Sequence, residues 1–240
     1  TQICPKSGWV EHNASEIWES VLEVVAGAVR KSGLKLSDIA AIGIANQRET
    51  TVIWDRKSGE PVHNAICWQS RQSQEICEDW ISKGYSDSIH RKTGLIINPY
   101  FSASKVRWIL DNVQGVRQRA ENGELCFGTI DSFLVYKLTG GKLHITDVTN
   151  ASRTMMFNIN TLKWDSDLLE CYGIPQCMLP KVVGNSHVYG KATALDCIVP
   201  GADIPIAAII GDQQASLFGQ CCFEMGSVKN TYGTGCFMLM

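Results

Sequence analysis

The sequence predicts an α/β domain in which helices flank a mixed sheet. Two short apolar runs, residues 39–45 (IAAIGIA) and 204–210 (IPIAAII), lack polar alternation and are typical of strands buried on both faces. Helical segments lie between these strands, and this alternation is typical of an α/β fold. A turn signal at 56–60 (RKSGE) between two apolar segments predicts a hairpin, which makes the sheet mixed rather than wholly parallel.

Three helices are predicted in the first half of the chain. Residues 14–31 carry an apolar stripe at helical spacing, and Gly33 is placed to end that helix. Residues 71–82 have helical character as well. In the third helix, 102–112, the apolar side chains share one face, so we expect that face to pack against the core.

The second half predicts one more long helix and a less regular stretch. Residues 132–141 form a helix that two glycines close, and 174–202 contain prolines and irregular apolar pairs typical of loop. A short helix is expected near 214–219. Residues 227–240 (SVKNTYGTGCFMLM) predict a strand, a glycine turn and a last strand for which the sequence suggests no partner.

The composition argues against nucleic-acid binding, a membrane span, disulfide bonds and a metal site. The chain has 240 residues and a net charge of −2, so no strong field attracts nucleic acid or an anionic membrane. No apolar run approaches the roughly 20 residues that span a bilayer. Ten cysteines include no Cys-x-x-Cys pair, which favours a reduced, cytoplasmic protein, and the scattered histidines predict no metal site.

Asp212 is the most informative charged residue, because it follows a buried strand and precedes a helix. Gly211 breaks the strand just before it. Open α/β sheets bind their ligands at the carboxyl ends of strands, so Asp212 is a candidate site residue. An alternative is that its carboxylate only caps the helix. The residues alone leave both interpretations open.

Other polar groups stand in comparable positions. Arg48 and Glu49 follow the strand at 39–45 and could bind neighbouring hydroxyls, or could form a surface ion pair. Tyr100 lies in a loop before a helix, where it could bind a ligand hydroxyl or simply pack. The triplet 233–235 (GTG) could cradle a phosphate or be a plain turn. Trp68 and Phe237 could add an aromatic wall to these polar groups. Together the polar groups and the wall suit phosphoryl transfer to an alcohol.

Several motifs resemble the FGGY family of carbohydrate kinases, and within it the glycerol kinases. They are NQRETT, NAICWQ, NPYFSASK, FGTID, TDVTNASRTMMFNI, GDQQASLFGQ and NTYGTGCFMLM. The resemblance runs from GWVEHN to the last residue. It implies an actin-like ATPase or ribonuclease H-like domain, with ATP held in a cleft between two such domains. Residues 1–225 would be the N-terminal kinase domain, and 226–240 the beginning of the C-terminal one.

The resemblance also implies an activity and roles for the residues. The reaction is phosphorylation of glycerol by ATP, with Mg²⁺, to sn-glycerol 3-phosphate. Asp212 would be the general base, and Thr234, between Gly233 and Gly235, would approach the nucleotide phosphates. The implied protein is a cytoplasmic homo-oligomer, a dimer or tetramer, with mitochondrial association in some relatives. Glycerol would be bound by Arg48, Glu49, Trp68, Tyr100, Asp212, Gln213 and Phe237.

Two departures from the family pattern set further expectations. The Asp-x-Gly-Thr-Thr-Ser phosphate loop with which family members begin does not occur among these residues, and the resemblance implies a second domain that we expect to lie outside residues 1–240. We therefore expect a nearly complete glycerol pocket but little turnover by these residues alone. Two alternatives remain. The chain could belong to a kinase of another polyol or ketose, or it could be a non-catalytic binding or regulatory module.

Overall fold

The structure is a computed structural model that describes residues 1–201 and 203–240, except for the side chain of residue 36. The helices are α1 (Ala14–Ser32), α2 (Gln74–Ser82), α3 (Ser86–Thr93), α4 (Ser102–Asn112), α5 (Val116–Glu121), α6 (Ile130–Leu138), α7 (Val148–Ala151), α8 (Ser166–Tyr172) and α9 (Asp212–Gly219). The strands are β1 (Gln2–Ile3), β2 (Glu11–His12), β3 (Ile42–Asn46), β4 (Val52–Asp55), β5 (Ala65–Ile66), β6 (Leu125–Gly128), β7 (Ile145–Asp147), β8 (Phe157–Asn158), β9 (Lys163–Trp164), β10 (Lys181–Val183), β11 (Ser186–Lys191), β12 (Pro205–Gly211), β13 (Lys229–Tyr232) and β14 (Cys236–Leu239).

A mixed sheet of β11, β12 and β3 organises the part of the molecule that carries the candidate site. Strand β12 pairs in parallel with β3 and antiparallel with β11, which confirms the predicted mixed sheet. Gly211 and Asn46 are partners at the ends of β12 and β3. Because the two strands run in the same direction, the residues that follow them leave the sheet at the same edge.

Helix α1 covers one face of this sheet. Asn13 caps its first turn, since the Asn13 Oδ1 accepts a hydrogen bond from the Ser15 amide at 2.9 Å. Gly33 ends it with φ of +67°, a left-handed conformation that glycine adopts without a steric penalty. The apolar stripe of α1 packs against buried isoleucines of β3 and β12. Burial of one such side chain contributes roughly 1.5–3 kcal/mol.

A second core lies between helices α2, α4, α5 and α8 and strands β4 and β6. The apolar face predicted for α4 is confirmed, because Val106, Ile109 and Leu110 are all buried there. This core fixes the N-terminal end of α4 beside the sheet edge. Within the described residues, no helix is both long and apolar enough to cross a membrane.

The structure corrects several expectations. Part of the predicted loop at 174–202 is sheet, because β10 pairs with β7 and β11 pairs with β12, and such distant pairing leaves no local signal; Ala202 lies outside the described residues. Strand β3 begins at Ile42, and Gly43 and Ala45 are exposed, so it is not buried on both faces. Strand β14 does have a partner, β13. The turn at 56–60 folds back as predicted, but β4 forms its ladder with β6.

Candidate active site

A cavity of about 270 Å³ opens at the sheet edge where β3 and β12 end. It collects every residue that the sequence singled out for substrate or nucleotide binding, although those residues come from five separated segments of the chain. Gln47 and Thr231 line it as well. The predicted residues around it are Arg48, Glu49, Trp68, Tyr100, Asp212, Gln213, Gly233, Thr234, Gly235 and Phe237.

Asp212 begins helix α9, and the N-cap position belongs to Gly211. The Asp212 Oδ1 accepts a hydrogen bond from the Gln213 amide at 2.8 Å, so the carboxylate does satisfy one free N–H of the first turn. Its side chain is nevertheless 43% exposed, on the side of the cavity. A hydrogen bond within the first helical turn and availability to a ligand therefore coexist in this residue.

Arg48 is buried and carries unused hydrogen-bonding capacity. Its Nε lies 3.4 Å from the Asp212 Oδ1, but the N–H is not directed at that oxygen, and this nitrogen has no hydrogen-bond partner among the described residues. The Arg48 Nη1 donates to the Gln214 Oε1 at 3.3 Å. The side chain has room because Gly211 has no Cβ, which would lie 2.6 Å from the Arg48 Cδ. A buried donor without a partner is costly, so an acceptor on a ligand would stabilise this arrangement.

Glu49 is also buried, which contradicts the surface ion pair considered for Arg48 and Glu49. Its Oε1 accepts a hydrogen bond from the Arg153 Nε at 2.6 Å. Burial raises the pKa of Glu49, although the guanidinium groups of Arg153 and Arg48 act in the opposite direction. The backbone of Glu49 has φ of +62°, a left-handed conformation that a non-glycine residue holds only at a cost and that is frequent in binding sites.

Tyr100 and Trp68 form an aromatic wall. Their ring centroids are 5.4 Å apart with an angle of 65° between the ring planes, and the Arg153 guanidinium lies 5.5 Å from the Tyr100 ring centroid. Burial raises the pKa of the Tyr100 phenol, and the Glu49 carboxylate adds to this shift. The hydroxyl is therefore protonated at neutral pH and able to donate a hydrogen bond.

Lys105 holds the backbone from which Tyr100 projects. Its ammonium group is fully buried and donates to the carbonyl oxygens of Pro99, Tyr100 and Phe101 at 2.5, 2.6 and 3.2 Å. Burial lowers the pKa of Lys105 to about 7, while the Glu49 carboxylate opposes this shift. The lysine thus belongs to the supporting structure of the cavity rather than to its wall.

The turn between β13 and β14 also lines the cavity. The Gly233 amide donates to the Gly235 carbonyl oxygen at 3.1 Å, and Thr234 projects from the exposed tip. Phe237 follows on β14, with the Arg48 Cζ 6.0 Å from its ring centroid. A Cβ on Gly235 would lie 2.6 Å from that ring, so the observed position of the Phe237 side chain requires a glycine here.

Sequence reasoning missed several polar residues of the site. Arg153 pairs with Glu49, and Gln214 accepts from Arg48, but neither residue type is unusual in its local context. Lys229 is buried and donates to the Gln213 Oε1 and, at 2.7 Å, to the Thr231 Oγ1. Arg153 and Gln214 stand inside motifs that carry the family resemblance, and that was the only available signal.

Comparison with known proteins identifies the family. The profile described as the FGGY family of carbohydrate kinases, N-terminal domain, matches residues 1–219. The chain belongs to the FGGY family of carbohydrate kinases. This assignment accords with a cavity that combines a carboxylate, an arginine and aromatic walls at the edge of an α/β sheet.

Within the family, the chain is similar to glycerol kinases. It is 62% identical to glycerol kinase of Bacillus licheniformis over 239 residues, which are 100% of this chain and 48% of that protein. The crystal structure of Plasmodium falciparum glycerol kinase with ADP superimposes with a TM-score of 0.92 at 38% identity, over 99% of this chain and 47% of that one. A ligand-bound xylulose kinase from Lactobacillus acidophilus shares the fold, with a TM-score of 0.85 at 24% identity over 99% of this chain and 47% of that one.

These likenesses confirm the predicted α/β fold of the actin-like ATPase type. The chain spans about half the length of the curated relatives it matches, 48% in the case of the Bacillus licheniformis protein.

Proposed function

We propose that the chain is the polyol-binding half of a glycerol kinase, which transfers the terminal phosphoryl group of ATP to glycerol. The observation that carries this proposal is the pair formed by Asp212 and Arg48. A half-exposed carboxylate lies 3.4 Å from a buried guanidinium whose Nε lacks a hydrogen-bond partner among the described residues. Together they offer an acceptor and an unused donor to the hydroxyls of one small ligand.

The rest of the cavity supports a short polyol as that ligand. Its volume of about 270 Å³ lies below the roughly 300–1,000 Å³ typical of drug-sized ligands. Trp68 and Phe237 supply apolar surface for a carbon chain, while Glu49 and Tyr100 add an acceptor and a donor. Gln213 stands beside Asp212 and completes the polar side.

The chemistry follows from the position of Asp212. As the terminal hydroxyl oxygen of glycerol bonds to the phosphorus, its proton passes to the Asp212 carboxylate, and the bond between that phosphorus and the ADP oxygen breaks. Thr234 and its two flanking glycines are the residues of this chain that we assign to the nucleotide phosphates. Mg²⁺, when bound with ATP, neutralises the charge that develops on the transferred group.

We further propose that residues 1–225 belong to the N-terminal domain and 226–240 to the beginning of the second domain. The matched profile describes an N-terminal domain and ends at residue 219, which supports this division. Most contacts to adenine would then come from the second domain. We therefore expect the 240 residues alone to bind glycerol but to release little ADP.

Calorimetric titration of this chain with glycerol, D-xylulose and D-gluconate tests the proposal. We expect binding of glycerol and much weaker binding of the two larger compounds. ADP release is then measured with the full reading frame that contains this chain. Preference for xylulose or gluconate would favour a kinase of another substrate. Binding of glycerol without any ADP release by the full protein would favour a binding or regulatory module.

A further inference from the structure

The buried carboxylate of Asp147 does not line the cavity, but its hydrogen-bond partners contact the ends of both strands, β12 and β3, that lead into it. Asp147 ends β7, is the N-cap of α7 and is completely buried. It makes no ion pair with any residue that the structure describes. Its oxygens accept hydrogen bonds from the side chains of Thr149, Asn150 and Asn185, and from the amides of Thr149 and Asn150. A carboxylate this deeply buried is tolerated only when hydrogen bonds replace its hydration, and here they do.

Two of these partners reach the end of β12, directly before Asp212. The Thr149 hydroxyl donates a hydrogen bond to Asp147, so its oxygen is free to accept one from the Gly211 amide, which lies 2.7 Å away. Asn185 donates from its side chain to the Ile209 carbonyl oxygen at 3.0 Å, and its own carbonyl accepts the Ile209 amide at 3.1 Å. The last residues of β12 before Asp212 are thus held by Thr149 of α7 and by Asn185, which lies between β10 and β11.

The third partner reaches the end of β3. Asn150 donates to Asp147 at 2.7 Å and exchanges a reciprocal pair of hydrogen bonds with Asn46, at 3.0 and 3.1 Å. Asn46 is the last residue of β3 and stands two positions before Arg48. The Asn46–Gly211 pair is also the last pair of the β3–β12 ladder, so the sheet itself fixes nothing beyond this point.

We propose that Asp147 is a positioning residue that sets the Asp212 carboxylate against the Arg48 guanidinium by holding both strand ends through Thr149 and Asn150. The catalytic and binding roles of Asp212 and Arg48 rest on the proposed function. The positioning by Asp147 does not, because it concerns only the hydrogen bonds of the Gly211 amide and of the Asn46 side chain. The competing interpretation is that Asp147 only caps α7 and contributes to stability.

The hydroxyl of Thr149 is the link that can be removed with least disturbance. T149V keeps the shape of the side chain and deletes the acceptor of the Gly211 amide, whereas T149S restores the hydroxyl. D147N, which keeps the volume, is the second variant if T149V fails to fold. The matched control is T139V, because the buried Thr139 hydroxyl also accepts a backbone amide, that of Leu143, and donates to a carbonyl oxygen, that of Val135, away from the cavity.

The first readout is hydrogen exchange of the Gly211 amide by NMR in this chain. T149V should accelerate it about tenfold, the equivalent of one lost hydrogen bond, and T149S should return it to the original rate. T139V should lower the melting temperature without changing exchange at Gly211. The second readout is steady-state kinetics of the full reading frame, in which T149V should lower kcat about tenfold while the KM for glycerol changes less than threefold.

The outcomes separate this inference from the proposed function. Unchanged Gly211 exchange in T149V and D147N overturns the inference, whether or not the protein phosphorylates glycerol. Faster exchange with unchanged kcat also overturns it, because the network is then only structural. If the unaltered protein neither binds glycerol nor releases ADP, the proposed function fails, and Gly211 exchange together with the Asp212–Arg48 distance in a T149V crystal structure decides the inference.

Discussion

The cavity and the Asp147 network meet at the ends of β3 and β12 and each contains an aspartate, but they differ in how their polar groups are satisfied. In the network, Asp147, Asn150 and Asn46 all have hydrogen-bond partners within the protein. In the cavity, the Arg48 Nε has none among the described residues, and Asp212 is half-exposed. Buried polar groups whose hydrogen bonds are all made within the protein specify a conformation, whereas groups at a cavity wall with unused hydrogen-bonding capacity can bind a ligand.

The difference also separates two kinds of mutational effect. Changes at the cavity should alter binding or chemistry while leaving the fold nearly intact, because the fold does not depend on those unused bonds. Changes in the supporting structure should alter stability first, and function only through geometry. Each of the following predictions places one residue on one side of this division.

The largest effect is expected for D212N in the full reading frame. The amide keeps the size of the carboxylate but does not take a proton from the attacking hydroxyl, so kcat should fall by about 10²–10⁴ while glycerol still binds. Steady-state kinetics and calorimetry measure the two quantities separately. D79N is the control, since Asp79 is an exposed aspartate of α2 paired with Lys83. Equal kcat in D212N and D79N would remove Asp212 from the mechanism.

A smaller but still large effect is expected for R48A. Removing the buried guanidinium deletes charged hydrogen bonds to the ligand, each contributing about 1.5–3 kcal/mol, so the Kd for glycerol should rise about 100-fold. Calorimetry on this chain is sufficient, because no turnover is required. R91A removes an exposed arginine of α3 and should leave the Kd unchanged. If both variants bind glycerol equally well, the Arg48 side chain has no role in recognition.

Much of the cavity could be predicted from the sequence, and the reason is topological. Asp212 and Arg48 each follow an apolar strand, and parallel strands deliver such residues to one edge. The roles themselves came from the family resemblance. Helix α4 was predicted to the residue because its apolar stripe is local information, and its apolar side chains are indeed buried.

What the sequence did not reveal depends on contacts between distant residues. Arg153 pairs with Glu49 across 104 positions, and nothing near either residue indicates the other. Strand β10 is three residues long and lies between Pro180 and Gly184, and β11 is largely exposed, so their strand conformation depends on pairing with β7 and β12. The left-handed backbone of Glu49 has no sequence signal, since that conformation is normally associated with glycine.

Lys105 belongs to the supporting structure, and its contribution to stability can be tested by varying the pH. Its pKa is lowered to about 7 by burial, whereas a lysine in the unfolded chain titrates near 10.4, so the unfolded state binds more protons between these values. Stability therefore rises with pH in this window. The free energy of unfolding, relative to K105M, should increase by about 2 kcal/mol between about pH 7.5 and 9.

Chemical denaturation at several pH values measures this difference, and an NMR titration of the Lys105 side chain gives the pKa without a substitution. Parallel stability curves for the two proteins, together with an ordinary lysine pKa, would mean that the buried ammonium is not destabilised. The carbonyl oxygens of Pro99, Tyr100 and Phe101 would then compensate its burial in full.

The smallest effect is expected at the turn between β13 and β14, where two glycines form a matched pair. A Cβ on Gly235 would lie 2.6 Å from the Phe237 ring, whereas one on Gly233 would meet its nearest neighbour, the Gly235 carbonyl oxygen, only at 3.9 Å. G235A should displace the ring from the cavity wall and raise the Kd for glycerol about fivefold, in keeping with an overpacking cost of about 1 kcal/mol. G233A should leave the Kd unchanged. Equal affinities of the two variants in calorimetry would mean that Phe237 is no part of the wall and that the ligand lies nearer to Trp68.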